Sequence, residues 1–109
     1  MRERRRRGRQ KFARWISYIP PVHTYSPVGV PYKRSVVITY SELEAMRLVD
    51  VMGLTQEEAA SRMGISRKTL WYELKNGRKK MVEAILNGWN IEIRGENYYY
   101  RGDEGEANE

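Results

Sequence analysis

The sequence predicts a mainly α-helical fold, a tri-helical helix-turn-helix core with a few short flanking β-strands and flexible termini. Helix-start signals recur close together between residues 41 and 66. Apolar residues follow these signals at spacings of three and four, which is the period of a helix with one buried face. The β-branched and aromatic runs are short and lie outside this region, at 35–40 and 90–100.

The length of 109 residues fits one domain, and its formal charge of +6 is unevenly distributed. Residues 1–14 hold eight basic residues and one acidic residue, so we expect a disordered basic arm. Residues 102–109 form an acidic tail. A clustered basic arm favours a polyanionic partner, mainly nucleic acid and secondly an anionic membrane surface.

Several classes of site are disfavoured by composition. The chain has no cysteine and one histidine, so we predict no disulfide, no metal site and no cofactor, with His23 an ordinary surface or loop residue. No apolar run has the length of a signal peptide or membrane span, so we expect a cytoplasmic protein without a membrane partner.

Residues 15–34, "WISYIPPVHTYSPVGVPYKR", contain all four prolines of the chain, interleaved with aromatic residues. Proline fixes an extended backbone and removes a hydrogen-bond donor. We therefore expect an extended, non-helical segment that lies across the folded body.

The helix-turn-helix domain is expected over residues 35–101, with short strands at both ends. A strand is predicted over 35–40, followed by an amphipathic helix that starts with a Ser41–Glu44 capping box and ends at Gly53. The runs "NIEIRG" and "NYYYRG" indicate a small hairpin, to which "SVVIT" could add a third strand.

Two further helices follow the first. A Thr55–Glu58 capping box starts a short helix that ends near Met63, with Gly64 at the turn. Ser66 is the expected N-cap of a long helix that runs from Arg67 to about residue 86 and stops at Asn87–Gly88.

Residues 56–75 have the spacing of a helix-turn-helix. Ala59 and Ala60 are small where two helices must cross closely, and Ile65 and Leu70 supply apolar contacts between them. In such motifs the second helix enters the DNA major groove and its first turns contact base edges. The alternative is a plain helical hairpin.

The 100° step of the long helix separates two faces. The predicted buried face has Leu70, Leu74, Gly77, Met81 and Ile85. The opposite face has Lys68, Tyr72, Lys75 and Lys79, with Trp71 and Arg78 on the flank. A charged stripe is often only a solvated face, but after a helix turn this cationic stripe favours contact with phosphates and bases.

The adjacent aromatic residues have different expectations. Tyr72 lies on the polar face and is predicted to contact DNA. Trp71 is left open between core, interface and DNA contact, and its spacing from Lys75 allows a cation–π contact. Glu73 has no firm explanation, with Lys80 or an exposed seam as its suggested surroundings.

The basic arm adds predicted contacts to phosphates or the minor groove. Unstructured basic tails also simply raise solubility. With about six to eight phosphates contacted in total, the slope of log K against log salt would be about −5 to −7. The complete set of predicted DNA-binding residues is Thr55, Gln56, Ser66, Arg67, Lys68, Trp71, Tyr72, Lys75, Arg78, Lys79, Arg4, Arg5, Arg6, Arg7 and Arg9.

The segment "ITYSELEAMRLVDVMGLTQEEAASRMGISRKTLWYELKNGRKKMVEAILNGWNIEIRGENY", with "YSPVGVP" before it, resembles a family of small uncharacterised prokaryotic proteins. That family is predicted to bind DNA through a helix-turn-helix like region four of sigma factors. The resemblance implies a tri-helical core of the winged-helix or sigma-region-four-like superfamily and a regulatory role.

Carried over by position, the resemblance places the second-helix surface at six residues, Ser66, Arg67, Lys68, Trp71, Tyr72 and Lys75. The chain departs from the family pattern at Glu73, at Gly77 and at the Trp71–Tyr72 pair. These departures put any transfer of a DNA target sequence in doubt.

The leading hypothesis is sequence-specific binding of double-stranded DNA in transcriptional regulation, by a protein associated with the nucleoid. One alternative is an RNA-binding or nonspecific chromatin-associated protein. Another is a sigma-like adaptor that docks a protein of the transcription machinery. A homodimer joined through the Pro/Tyr segment or the C-terminal strands is a further expectation, and an enzyme is not expected.

Overall fold

The computed structural model describes residues 14–95 and 98–102. Within these ranges there are three α-helices: α1 (Tyr40–Met46), α2 (Gln56–Met63) and α3 (Arg67–Asn87). A π-helical turn, Arg47–Val51, continues α1. The strands are β1 (Arg14–Ile16), β2 (Thr24–Tyr25), β3 (Ser35–Thr39), β4 (Asn90–Arg94) and β5 (Tyr98–Tyr100). The expectation of a small body of three helices with a few short strands is confirmed.

The strands form two small sheets that join distant parts of the chain. One sheet has the order β2-β4-β3, with β4 antiparallel to β2 and parallel to β3. The other pairs β1 with β5 in parallel. The suggested pairing of "SVVIT" with the "NIEIR" run is therefore confirmed, but the third strand of that sheet is β2 rather than β5. The predicted C-terminal hairpin is wrong, because both edges of β4 are occupied and β5 pairs with β1 instead.

Helix α1 begins earlier than predicted. Its N-cap is Thr39, whose hydroxyl accepts from the Glu42 backbone N–H at 3.0 Å while the Glu42 carboxylate accepts from the Thr39 N–H at 3.0 Å. The Ser41–Glu44 box is wrong, because β3 leads directly into the helix and both residues lie buried inside it. The Glu44 carboxylate instead accepts from Arg47 Nη2 at 3.0 Å.

The end of the first helix also differs from a single regular helix. The Met52 N–H donates to the Arg47 carbonyl at 2.9 Å, a bond that spans five residues and widens the last turn. Leu48 nevertheless remains fully buried. The widened turn therefore keeps the apolar face of this segment on the core.

Helices α2 and α3 begin and end as the sequence predicts. The Thr55–Glu58 capping box is present, and Gly64 ends α2 with a φ of 70°, in the left-handed region that favours glycine. Ser66 caps α3, and Gly88 ends it one residue beyond Asn87.

The core lies where α1, α2 and β3 pack against α3. Ala59 and Ala60 are buried at the α2–α3 contact. At Gly77 an added Cβ would lie 2.8 Å from Met46 Cε and 3.1 Å from Glu42 Cβ, so this glycine permits the close α1–α3 approach. Leu70, Leu74 and Gly77 are buried as predicted, and Met81 is partly buried against the core.

The prediction that Ile85 lies on the buried face of α3 is wrong, because its side chain is 71% exposed. Ala84 is buried instead, at 1% exposure. One residue further along a helix is about 100° further around it, which carries Ile85 off the packed face.

The Pro/Tyr-rich segment is extended, as predicted, and is joined to the body through β1 and β2. Ile16 is buried. Many of the other large apolar residues of this segment, including Tyr18, Tyr25 and Tyr32, remain exposed.

Candidate nucleic-acid interface

The first turns of α3 and the start of α2 share one side of the molecule. Gln56, Arg67, Lys68 and Trp71 line a single open depression. Lys75 and Tyr72 extend this side along α3, one turn beyond Trp71 and Lys68 respectively. We call these six residues the cationic surface: Gln56, Arg67, Lys68, Trp71, Tyr72 and Lys75.

Trp71 contacts both Tyr72 and Lys75 within the cationic surface. The two aromatic rings meet edge to face, with centroids 5.0 Å apart and planes inclined by 67°. Lys75 Nζ lies 4.9 Å from the Trp71 ring centroid, which confirms the geometry of the expected cation–π contact. Trp71 is 43% exposed and Tyr72 is 46% exposed, so Trp71 is not a core residue.

Positive charge is distributed unequally along α3. Within residues 14–95 and 98–102, Arg67, Lys68 and Lys75 form no salt bridge. The next cations are paired: Arg78 Nη2 lies 2.7 Å from Asp50 Oδ1, Lys79 Nζ lies 3.4 Å from Glu83 Oε2, and Lys80 Nζ lies 2.9 Å from Glu42 Oε1. Unneutralised cations are therefore concentrated in the N-terminal half of the helix.

The cations at the start of α3 oppose the helix dipole. A helix N-terminus carries partial positive charge and favours acidic residues, and α2 follows this rule with Glu57 and Glu58 in its first turn. The first turn of α3 has no acidic residue and instead has Arg67 and Lys68. An anion bound at this position would be attracted by both the side chains and the positive end of the helix dipole.

Thr55 and Ser66 position the two helices. Each hydroxyl accepts a backbone N–H at 3.0 Å, from Glu58 and Thr69 respectively. The Ser66 hydroxyl also donates to Thr69 Oγ1 at 2.9 Å. Both caps are exposed, but their oxygens already have partners within the protein.

Arg78 and Lys79 are also predicted DNA contacts, but each is in a salt bridge, with Asp50 and Glu83 respectively. The hydrogen bond with Asp50 raises the pKa of the Arg78 guanidinium above its ordinary value, against the opposing effect of desolvation. The guanidinium lies beside the π-helical turn and lines a different groove, together with Val51 and Val82. Arg78 is therefore not brought together with Arg67 and Lys68.

Glu73, for which the sequence offers no firm explanation, forms a salt bridge with Arg14, a residue of the predicted basic arm. Arg14 Nε donates to Glu73 Oε2 at 2.7 Å, and both side chains are largely buried. The suggested Glu73–Lys80 contact is wrong, because Lys80 Nζ donates to Glu42 and to the Val37 carbonyl. Arg14 thus belongs to β1 and is held against α3. The predicted contacts Arg4, Arg5, Arg6, Arg7 and Arg9 lie outside the described residues.

Other binding chemistry has little support in the described part of the chain. It contains no group of three or more histidine, aspartate or glutamate residues arranged to hold a metal ion. His23 Nε2 is 2.7 Å from the Tyr40 hydroxyl. In those same ranges no helix is long and apolar enough to cross a membrane.

The sequence interpretation missed an exposed apolar area at the far end of α3. Val82, Ile85 and Leu86 are exposed there. A signal existed in "MVEAIL", where the apolar residues extend further around the helix than one buried face requires.

Comparison with known proteins places the chain in a family. The sequence pattern described as "Protein of unknown function DUF134" matches residues 3–101. The chain belongs to the DUF134 family. A UPF0251 protein of Methanosarcina acetivorans is 46% identical over 105 residues, which cover 94% of this chain and 93% of that relative.

Other DUF134 relatives are similarly close. A UPF0251 protein of Methanococcus vannielii is 47% identical over 98 residues, covering 88% of this chain and 75% of the relative. One from Caldanaerobacter subterraneus subsp. tengcongensis is 40% identical over 93 residues, covering 84% and 79% respectively. No solved structure shows significant similarity. The expected membership of a family of small uncharacterised prokaryotic proteins is confirmed.

Proposed function

We propose that this DUF134 protein binds double-stranded DNA in a sequence-specific manner, through a helix-turn-helix formed by α2 and α3, and acts as a transcriptional regulator. The observation that carries the proposal is the set of unneutralised cations on the first turns of α3. Arg67 and Lys68 oppose the helix dipole, an arrangement that costs stability in the free protein. Phosphate groups at this helix end would remove that cost.

The helix pair supports a duplex as the polyanion. Buried alanines let α2 and α3 cross closely, and Gly64 makes the sharp turn between them. The first turns of α3 are exposed on the side away from Leu70 and Leu74. In a helix-turn-helix these turns contact base edges in the major groove, and the preceding helix contacts the backbone.

The aromatic cluster supports a specific contact in addition to charge. Trp71 orients Tyr72 and Lys75 through ring contacts, so less side-chain entropy is lost when they bind. Tyr72 offers a hydroxyl for phosphate or sugar and a ring edge for a thymine methyl. We therefore assign base or backbone contact to Tyr72 and a supporting or direct role to Trp71.

The arm extends the proposed contact. Arg14, which follows the arginines of the arm in the sequence, is held against α3 by Glu73, two residues from Trp71. We assign Arg4, Arg5, Arg6, Arg7 and Arg9 to phosphate or minor-groove contacts. Lys79 is assigned a weaker contact, because Glu83 offsets its charge.

The experiment is selection of bound duplexes from a random-sequence pool. We expect the full chain to enrich a consensus, and Tyr72→Ala to weaken or change it. Removal of residues 1–13, a cut that retains Arg14 and its contact with Glu73, should lower affinity and flatten the salt dependence with little change in consensus.

Selection outcomes separate the proposal from its alternatives. An unenriched duplex pool would contradict sequence-specific binding. Enrichment of single-stranded RNA over duplex DNA in a parallel pool would favour an RNA-binding protein. If Lys68→Ala with Lys75→Ala leaves all nucleic-acid binding unchanged, a protein-docking adaptor is favoured.

A further inference from the structure

A second exposed surface lies at the C-terminal half of α3. Val82, Ile85 and Leu86 are 54%, 71% and 77% exposed, and Val51 of the π-helical turn is 79% exposed. Together with the neighbouring Met52, which is also exposed, we call these five residues the apolar surface. Contiguous exposed apolar residues of this kind mark interaction sites more often than isolated ones do.

The apolar surface contains both a groove and protruding side chains. The groove has a volume of about 420 Å³ and is lined almost wholly by apolar atoms. Its floor is Leu43, Met46 and Met81, and Val51 and Val82 form part of its wall. Ile85 and Leu86 follow Val82 by three and four residues along α3, and Ile85 also lines a separate depression with Ala84, Gly88 and Trp89. Protrusions beside a groove allow one copy of this surface to pack on another.

Charge at the groove points to the same occupant. The charged residues that line it are Arg47, Asp50 and Arg78. Arg47 is neutralised by Glu44, and Arg78 and Asp50 neutralise each other. A neutral rim gives no attraction for nucleic acid or an anionic membrane. A cation and an anion side by side are, however, self-complementary about a two-fold axis, because each can exchange its partner for the one on a second copy.

The undescribed segments of the chain are poor candidates to cover this surface. Residues 1–13 contain only Met1, Phe12 and Ala13 as apolar residues, among seven basic side chains. Residues 103–109 contain one apolar residue, Ala107, and four acidic side chains. Neither segment can supply a matching apolar face.

We propose that the apolar surface binds the apolar surface of a second copy of this chain, in a two-fold symmetric homodimer. The contact joins the C-terminal halves of the two α3 helices, with Ile85 and Leu86 packed toward the partner's groove. Asp50 and Arg78 form ion pairs across the axis. This interface differs from the Pro/Tyr segment and the C-terminal strands expected from the sequence.

The position of the dimer contact is compatible with the proposed DNA binding. Only the spacing of the two cationic surfaces rests on that proposed function, whereas the dimer itself does not. Trp71 and Leu86 are separated by about 22 Å along α3 at a rise of about 1.5 Å per residue. Two copies joined near Leu86 would therefore hold their cationic surfaces up to about 45 Å apart. A crossing angle between the helices shortens that reach to the spacing of about 34 Å between successive half-sites.

The first test measures the self-association of the full chain by sedimentation equilibrium, without DNA. We expect a monomer–dimer equilibrium, and a dissociation constant raised at least about thirtyfold by Ile85→Lys with Leu86→Lys. Both side chains are already exposed, and lysine suits a helix C-terminus, so the fold should be kept. Val28→Lys is the matched control, since Val28 is 96% exposed and lies outside the surface.

A mixing experiment tests the second copy directly. Asp50→Arg and Arg78→Asp should each weaken the dimer, because each places like charges across the axis. An equimolar mixture should recover dimer by forming two ion pairs between unlike copies. A wild-type chain that is monomeric up to its solubility limit would overturn the proposal. So would a dimer unaffected by the Ile85/Leu86 change. Neither result would bear on DNA binding.

Discussion

Both halves of α3 have basic residues and exposed apolar residues. Among the described residues, however, the basic residues form salt bridges only in the C-terminal half. In the N-terminal half, Arg67, Lys68 and Lys75 have no acidic partner among the described residues, and the exposed aromatics pack on one another. In the C-terminal half, each cation from Arg78 to Lys80 has an acidic partner, and aliphatic side chains are exposed.

This difference distinguishes basic residues that stabilise the fold from basic residues that are available to bind a ligand. A cation that contributes to the fold has a carboxylate beside it, and the largely buried Glu42 beside Lys80 is the clearest case. A cation at a helix N-terminus without a carboxylate lowers stability. We therefore propose that such a cation binds a ligand rather than stabilises the fold.

The largest effect is expected where both halves depend on the same packing. Leu74 is 1% exposed and lies between them on the buried face. Leu74→Ala should lower the free energy of unfolding by about 2–5 kcal/mol, because it leaves a cavity against α1 and α2. Denaturant unfolding measures this, with the exposed Leu86→Ala as control. A loss no greater than that of the control would contradict the assigned core.

A smaller loss of stability is expected when the carboxylate partner of a paired cation is removed. Glu42→Ala removes one of the two acceptors of Lys80 and one half of the α1 capping box, and should cost about 1–3 kcal/mol. Glu83→Ala, which removes the exposed partner of Lys79, should cost about 0.5 kcal/mol or less. Equal losses in thermal or denaturant unfolding would show that burial does not separate the two pairs.

In the N-terminal half we expect a modest change in binding from the Tyr72 hydroxyl. Tyr72→Phe keeps the edge-to-face contact with Trp71 and removes one hydrogen-bonding group. Duplex affinity should fall by about 0.5–1.5 kcal/mol with little change in stability. Fluorescence anisotropy with the selected duplex measures it. An affinity loss as large as that of Tyr72→Ala would instead assign the contact wholly to the hydroxyl.

The smallest change in stability should have the opposite sign. Lys68→Glu places an acidic residue in the first turn of α3 and should raise the free energy of unfolding by about 0.3–1 kcal/mol. The same substitution should abolish measurable duplex binding, because it reverses a proposed phosphate contact. Lower stability of this variant would show that Lys68 contributes to folding after all.

Local signals in the sequence predicted much of the helical region. Thr55, Gly64, Ser66 and Gly88 act through neighbours a few residues away, and each lies at the helix end that its residue type favours. The start of α1 was misplaced because two boxes of identical spacing overlap, Thr39–Glu42 and Ser41–Glu44. The Thr39–Glu42 box is the one used, because β3 ends at Thr39 and the helix begins at Tyr40.

The remaining features depend on contacts between distant residues. β1 pairs with β5 from the other end of the described chain, and Arg14 pairs with Glu73 across 59 positions of sequence. No local pattern encodes such a register. The exposure of Ile85 likewise depends on which distant elements pack against α3. The cationic residues of the candidate site were predictable from helix period, but which of them are neutralised was not.

The central claim, that the unneutralised cations of α3 are the ones that contact DNA, is tested most directly by salt dependence. Two double variants lower the net charge of +6 equally, Lys68→Ala with Lys75→Ala and Lys33→Ala with Lys79→Ala. The first should flatten the slope of log K against log salt by about 1.8, and the second by less than about 0.9. Equal flattening by both variants, or none by the first, would contradict the claim.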